Sequence, residues 1–334
     1  MSRILVVSSY PPRHCGIGAY AHAQVDRLQA EGNRVTVLSP RDGDGNVRVG
    51  FFGGRPFFVA ARRGRRYGRI VVHFQPALYY RPRSPLSRVF TSVALLWLVL
   101  RHSQTEIVVH EADRPRLWRP DYLLLAAAFR AAPVLLFHTD RERKALERRY
   151  RVRVRGRLIS HSDAVRIHAP TDRASARRRL GIPLGEAALV APGFIHPGKG
   201  FDRAVVAFRD ADAGAGGRLY IVGSVKDPIP TNVAHARLLR ELAAHVPGVE
   251  LVERFVDDEE FDAWIAAADA VVLPYRESWS SGVLARAQAM GTPAVLMKVG
   301  GLTEQASPRD VVVSDDEELT KAIAQIASQR EALP

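Results

Sequence analysis

Residues 269–304 read DAVVLPYRESWSSGVLARAQAMGTPAVLMKVGGLTE. The apolar run Ala270-Val271-Val272-Leu273 suits a strand buried on both faces, and Pro274, which has no N–H to give a ladder, ends it. Small residues Ser280, Ser281 and Gly282 follow, and 283–290 reads as a helix that Gly291-Thr292-Pro293 closes before a second apolar strand at 294–297. This is one βαβ step with a phosphate-sized gap at its start. The first N–H groups of such a helix lack intrahelical partners and carry the positive end of the macrodipole, so Ser280, Ser281, Gly282 and Val283 are candidates to cradle a diphosphate. A plain βαβ connection has the same local sequence, so the rest of the chain decides.

Outward from this step, strand-like runs alternate with helical patterns along nearly the whole chain. Strands are expected at 4–8, 35–38, 70–73, 106–110 and 134–138, then at 188–190, 219–222, 250–251, 270–273 and 294–297. Helices such as 19–30, 203–210, 237–245 and 259–268 separate them. The alternation predicts an α/β protein with two Rossmann-like, doubly wound parallel sheets. Polar and Pro residues in LISHSDAVRIHAP, 158–170, mark the join, giving domains 1–165 and 166–334. Open parallel sheets bind ligands outside the carboxyl ends of their strands, so chemistry is expected in the loops after strands and in a cleft between facing domains.

The 334 residues, 47% hydrophobic and 25% charged, suffice for two cores. No run nears the roughly 18 apolar residues of a membrane span, 93–100 being too short, and MSRILVVSSY reads as a strand instead of a signal peptide. Cys15 is the single cysteine, so no disulfide framework is expected. The expected location is the cytoplasm, free or peripheral at the inner face of the membrane.

The net charge of +13 conceals an asymmetry: residues 1–180 hold 34 Lys+Arg against 13 Asp+Glu, the remainder 14 against 22. The excess clusters at Arg62, Arg63, Arg65 and Arg66 and across 141–157. Such clusters hold anionic small molecules, acidic polymers or anionic lipid. Nucleic acid is disfavoured, because no helix-turn-helix, zinc-finger or RNA-motif signature accompanies them and no aromatics interleave with the arginines.

Three more loops after strands carry candidate chemistry. In PPRHCGIGAYA, Gly16-x-Gly18-x-x-Ala21 formally matches a dinucleotide fingerprint, but residues 9–15 separate it from its strand and Ser39-Pro40 stands where an acidic residue is needed. A dehydrogenase is therefore disfavoured. In GFIHPGKGFDRAVVAF, Lys199 sits between glycines ahead of a helix that Asp202 is placed to cap, where it can meet a diphosphate. In EIVVHE, His110 is a polar group at the top of an apolar strand. The run Asp257-Asp258-Glu259-Glu260 reads as an N-cap and first helical turn instead of a metal site.

Taken in order, PPRHCGIGAYAHAQVDRLQAEGNRVTVLSP, IVVHFQ, IVVHE, LLFHTDRERKALERRYRV, GFIHPGKGFDRAVVAF, AADAVVLPY and SSGVLARAQAMGTPAVLMKVGGLTE resemble the motifs of a family 4 retaining glycosyltransferase of the GT-B fold, over about residues 1–325. The resemblance implies a nucleotide-sugar donor held mainly by the second domain, with the acceptor entering across the basic first domain. It implies that Lys199 neutralises the donor diphosphate, that Gly16 lines the phosphates and sugar, and that His110 contacts the donor sugar as the candidate catalytic group. It implies no metal and no cofactor besides the donor, helix dipole and cations stabilising the leaving diphosphate. The expected reaction is retaining transfer of a hexose from a nucleoside diphosphate sugar to an anionic or membrane-associated acceptor. The alternative is a catalytically impaired homologue that binds a nucleotide, glycan or partner enzyme.

Departures from the family pattern motivate that alternative. The family's Glu, seven residues, Glu motif falls on Ser278 and Arg286, with Glu277 one residue out of register. Ser278, Glu277 and Arg286 are thus the candidates to meet donor sugar or ribose, Arg286 only as a donor of hydrogen bonds. Phe194 takes the usual place of an Arg near Lys199, His196 stands at the alternative position, and Cys15 replaces a glycine. Relatives commonly continue past DDEELTKAIAQIASQREALP into helices that cross back to the first domain, so looser or differently organised closure is expected.

Overall fold

A computed structural model describes residues 1–328 apart from Arg114, Leu117, Ser162, Ala164 and residues 169–171. Part of the join expected at 158–170 therefore lies outside the described residues. The chain divides into two compact units, Met1–Ala164 and Val165–Pro334.

The first unit carries strands β1 (Arg3–Val7), β2 (Arg34–Ser39), β3 (Val47–Arg48), β4 (Arg69–Phe74), β5 (Thr105–Val109), β6 (Val134–Phe137) and β7 (Gly156–Leu158). They form one sheet in the order β3-β2-β1-β4-β5-β6-β7, and every pairing is parallel. Its helices are α1 (Gly16–Ala30), α2 (Arg55–Arg63), α3 (Pro76–Tyr79), α4 (Pro85–Arg101), α5 (Pro120–Ala131) and α6 (Asp140–Tyr150). Strand order reverses between β1 and β4, so the loops after these strands flank the position where doubly wound sheets bind ligands. Ile4, Val6, Val37, Val71, Val108 and Leu136 pack with Val25 and Leu28 of α1, which is the period-two pattern of a strand against a helical stripe.

The second unit repeats the design. Strands β8 (Ala187–Pro192), β9 (Gly217–Gly223), β10 (Val249–Glu253), β11 (Ala270–Leu273), β12 (Ala294–Met297) and β13 (Val311–Val313) form a parallel sheet in the order β10-β9-β8-β11-β12-β13. Helices α7 (Arg173–Leu180), α8 (Phe201–Asp210), α9 (Pro230–His245), α10 (Asp258–Ala267), α11 (Gly282–Ala289), α12 (Leu302–Gln305) and α13 (Asp316–Ser328) cover it. Leu189 and Ala191 face a core with Phe201, Phe208, Leu239 and Ile323, while Ala188 and Val190 face Trp264, Ile265 and Leu284. Both faces of β8 are buried because helices lie on each side, and this explains its uninterrupted apolar sequence. The reversal here falls between β8 and β11, the strands that precede Lys199 and Ser280.

Some boundaries differ from the sequence reading. Helix α1 begins at Gly16, three residues early, so Gly16 and Gly18 form its first turn and not a loop ahead of it. Strands β3, β7 and β13 were not expected, since two or three edge residues carry no readable alternation. Among the described residues no helix is long and apolar enough to cross a membrane.

Candidate functional site

The turn after β8 is drawn tightly against the end of β11. Gly200 adopts φ +62°, and a Cβ there would lie 2.1 Å from the Pro274 carbonyl oxygen, so only glycine lets the turn approach so closely. Arg276 donates through its backbone N–H to Gly198 O at 2.9 Å and through its side chain to Pro197 O at 3.0 Å. Its guanidinium also forks onto Asp202 at 2.7 and 2.6 Å. Burial works to raise the Asp202 pKa, but hydrogen bond and charge from Arg276 bring it below the usual carboxylate value. Asp202 is therefore spent on this clasp. It does not cap α8, whose N-cap is Gly200.

Lys199 lies in this turn with its Nζ 3.8 Å from the centroid of the buried Tyr275 ring. The aromatic face holds the ammonium without neutralising it, and no carboxylate pairs with Lys199 among the described residues. His196 stands at the turn's entrance with its pKa pushed down to about 4, first by burial and then by the charges of Lys199, His235 and Lys226. It is a neutral group at pH 7. Lys226, which sequence reading passed over, places its Nζ 5.3 Å from the ring centroid of Phe194, the residue standing where the family has Arg. A single lysine after β9, one of five in the chain, was the available signal.

At the head of α11, part of the expected cradle is already engaged. The Ser281 hydroxyl oxygen caps the helix by accepting from Leu284 N at 3.2 Å, and Ser281 N donates to Gln305 Oε1 at 2.8 Å. The Ser278 hydroxyl donates to Ser280 O at 3.2 Å, folding the loop on itself. Gly282 and Val283 sit in the first turn, where amides have no intrahelical acceptor, so they are the donors left for an anion. Glu277 is exposed, beside Gly198 of the Lys199 turn.

The Arg286 side chain is engaged within the second unit. It donates to Asp258 at 3.0 Å and to the Arg166 carbonyl at 3.0 Å, and pairs with the fully buried Asp262 at 2.7 Å, so its fork ties α11 to α10 and to the segment before α7. Its charge offsets that of Asp262, a carboxylate fully shielded from water. Asp257 caps α10 by accepting from Glu260 N at 2.8 Å, as the acidic run suggested.

In the first unit, His110 follows β5 directly and its Nε2 lies 2.9 Å from Nδ1 of His73, whose Nε2 lies 3.0 Å from Gln24 Oε1 of α1. Two more histidines join them: Tyr20 of α1 meets His73, His110, His138 and His161 edge-on, with centroids 5.1 to 5.5 Å away. These four come from the ends of β4, β5, β6 and β7. His138 is held by a capping box in which the Thr139 hydroxyl accepts from Glu142 N and the Glu142 carboxylate accepts from the Thr139 and His138 amides. Burial lowers the pKa of His73 to about 3, of His138 to about 2, of His161 to about 4 and of His110 well below 6.5, so all four are neutral. Gly16 is exposed in the neighbouring turn, and Arg62, Arg63, Arg65 and Arg66 are exposed on and after α2.

Residues 186–329 match the family described as Glycosyl transferases group 1. The chain is 37% identical over 186 residues to a D-inositol 3-phosphate glycosyltransferase from a Nocardioides species, the match covering 52% of this chain and 40% of that protein. It is 35% identical over 182 residues to the enzyme of that name from Corynebacterium glutamicum, covering 51% and 42%. The matches therefore span about two fifths of those relatives' length. Among solved structures, sucrose-phosphate synthase from Thermosynechococcus elongatus superimposes with a TM-score of 0.74 at 19% identity, covering 99% of this chain and 91% of that one. Anabaena Alr3699/HepE in complex with UDP-glucose gives 0.68 at 16% identity, covering 99% and 94%. Sheet topology and these likenesses make the fold GT-B.

Proposed function

We infer that this chain, whose residues 186–329 match the glycosyl transferases group 1 family, moves a hexose with retention from a nucleoside diphosphate sugar to an anionic or membrane-associated acceptor. The observation that carries the reading is the uncompensated Lys199 ammonium, held over Tyr275 on a turn at the switch point of the second sheet. Gly282 and Val283 amides and the nearby Lys226 add positive potential suited to a departing diphosphate without calling on a metal. His110, kept neutral and oriented by His73, is suited to a sugar hydroxyl, and Glu277 and Ser278 are the donor-side polar groups whose side chains form no ion pair among the described residues. That the Anabaena structure holds UDP-glucose and the curated relatives are named for a phosphorylated acceptor supports this choice.

Replacing Lys199 by alanine is expected to weaken UDP-sugar binding by roughly 1.5–3 kcal/mol, the worth of a charge-assisted hydrogen bond. Calorimetry with UDP-, GDP-, ADP- and dTDP-sugars in EDTA, followed by a transfer assay, reads this out. Binding without turnover would favour the impaired-homologue reading. Equal affinity in wild type and Lys199→Ala would remove the donor assignment.

A surface on the first unit favours a membrane-associated acceptor. Helix α4 buries Thr91, Ala94, Leu95 and Leu98 on one side, yet Leu86, Phe90, Val93 and Leu100 on the other are 46 to 69% exposed. With Trp97, which packs against Phe58 at 5.0 Å, their spacing of four and three residues makes one apolar stripe. Arg62 lies over Phe58 and Arg101 over Trp97. Residues 45–105 hold 11 arginines and no carboxylate, so a second copy of this face would be repelled and an anionic bilayer attracted. Phe90→Ala with Leu100→Ala is expected to lower affinity for phosphatidylglycerol vesicles about 10- to 100-fold in sedimentation, leaving UDP binding unchanged. Reversing Arg62, Arg63, Arg65 and Arg66 should lower it in a salt-dependent way. Unaltered sedimentation of both variants would argue against this surface.

A further inference from the structure

We propose that a cavity on the first unit, lined by Arg83, Ser84, Arg88, Arg116, Arg119 and Tyr122, binds the phosphomonoester or an equivalent dianionic group of a small polyol or sugar. The cavity measures about 500 Å³, which suits a small molecule. It is built by the connection between α3 and α4 and by the connection between β5 and α5. It thus lies beyond the carboxyl ends of β4 and β5, the edge of the sheet that also bears His73 and His110.

The four arginines fall into two pairs. Arg88 donates to Asp113 at 3.2 Å and to the Tyr122 hydroxyl oxygen at 3.0 Å, with its guanidinium 4.9 Å from the Tyr80 centroid. Arg119 forks onto Asp121 at 3.0 Å through two nitrogens and lies over the Tyr122 ring. These two are fixed and each is balanced by a carboxylate. Arg83 and Arg116 have no ion pair and no side-chain hydrogen bond among the described residues. Arg83 moreover adopts φ +57°, a left-handed conformation rare for a residue with a Cβ and one that concentrates at ligand clamps.

The chemistry of the unspent groups selects the ligand. Ser84 Oγ accepts from Ser87 N and the Tyr122 oxygen accepts from Arg88, which leaves both hydroxyls their O–H to donate. Asp113, the carboxylate of the lining, is taken by Arg88. The groups left facing the cavity are thus dominated by donors, and among the described residues the charges of Arg83 and Arg116 have no carboxylate paired with them. An acceptor-only group with two negative charges and three oxygens matches the two unpaired guanidinium groups in charge and in donors, whereas a neutral sugar hydroxyl leaves both charges uncompensated. Guanidinium forks also match phosphate geometry. Within the proposed transferase the anion belongs to the acceptor, and the assignment rests on that reading only for this point.

The test is calorimetry on the whole chain with glucose 6-phosphate, inorganic phosphate and glucose, and sedimentation with vesicles of phosphatidic acid or phosphatidylcholine. The variants are Arg116→Ala, an exposed position, and the same change combined with Arg83→Asn, which tolerates the left-handed backbone. Thermal melts confirm folding. Glucose 6-phosphate is expected to bind where glucose does not, and the double variant to lose about 10- to 100-fold in affinity while UDP binding is retained. If the same loss appears only with phosphatidic acid vesicles, the site stands and its ligand is a lipid headgroup. Binding of glucose as strong as that of its phosphate, or unchanged affinity of both variants for every anion, overturns it. Loss of UDP binding with sugar-phosphate binding intact counts against the transferase and not against this cavity.

Discussion

Between pH 7.5 and 5.5 four buried histidines are expected to lower the stability by about 5 kcal/mol, about 1.4 kcal/mol each. His73, His110, His138 and His161 are buried around Tyr20 and have pKa values depressed by that burial from 6.5. A folded-state value below the unfolded one means that the unfolded chain takes up protons first as pH falls. The stabilisation is therefore complete above about pH 6.5 and is lost below it, down to the folded values near 4 and lower. No carboxylate forms an ion pair with any of the four among the described residues, so burial outweighs the interactions that would favour protonation. Urea unfolding at a series of pH values, followed by tryptophan fluorescence, measures the slope. His138 has neither ring nitrogen hydrogen-bonded, so His138→Phe should remove about a quarter of the pH dependence. A stability flat between pH 7.5 and 5.5 would show that the cluster takes up protons without cost.

Arg177→Ala should cost about 3–5 kcal/mol, the penalty for breaking a buried ion pair from one side. Arg177 is 1% exposed in α7 and donates to the carbonyls of Ala267, Pro183, Leu184 and Glu186 as well as to Asp269 at 2.6 Å. Asp269 in turn accepts from Ala188 N at 2.8 Å, so the pair joins α7 to the starts of β8 and β11. Adding Asp269→Asn to Arg177→Met should recover part of the loss, since the mostly buried carboxylate then carries no charge and Arg173, its other partner at 2.8 Å, is half exposed. Urea midpoints of the three proteins decide this. A loss under about 1 kcal/mol for Arg177→Ala would mean that water replaces the guanidinium.

The parallel strands and the alternation of helix and strand were legible because they rest on local chemistry. Runs such as Ala270 to Leu273 are apolar on both faces, and Gly and Pro mark their ends. Lys199 was legible for the same reason, a charge fixed between two glycines beside a strand. Its clasp was not, since Arg276 and Asp202 lie 74 residues apart in sequence. Arg286 shows the limit most clearly. Counting register put it beside the donor, but that count could not show that its guanidinium pairs with the buried Asp262 of α10.

The sequence by itself determined the two parallel sheets, the loops at their carboxyl ends and the basic character of the first unit, because strand pattern, turn residues and charge are properties of short segments. Only the tertiary structure decided that four histidines from four strand ends gather on Tyr20, that an apolar stripe lies outward on α4, and that Arg83 and Arg116 face a cavity without a paired carboxylate among the described residues. Those facts depend on which distant side chains the strand order makes neighbours, and hydrogen-bond partners are chosen by proximity in space.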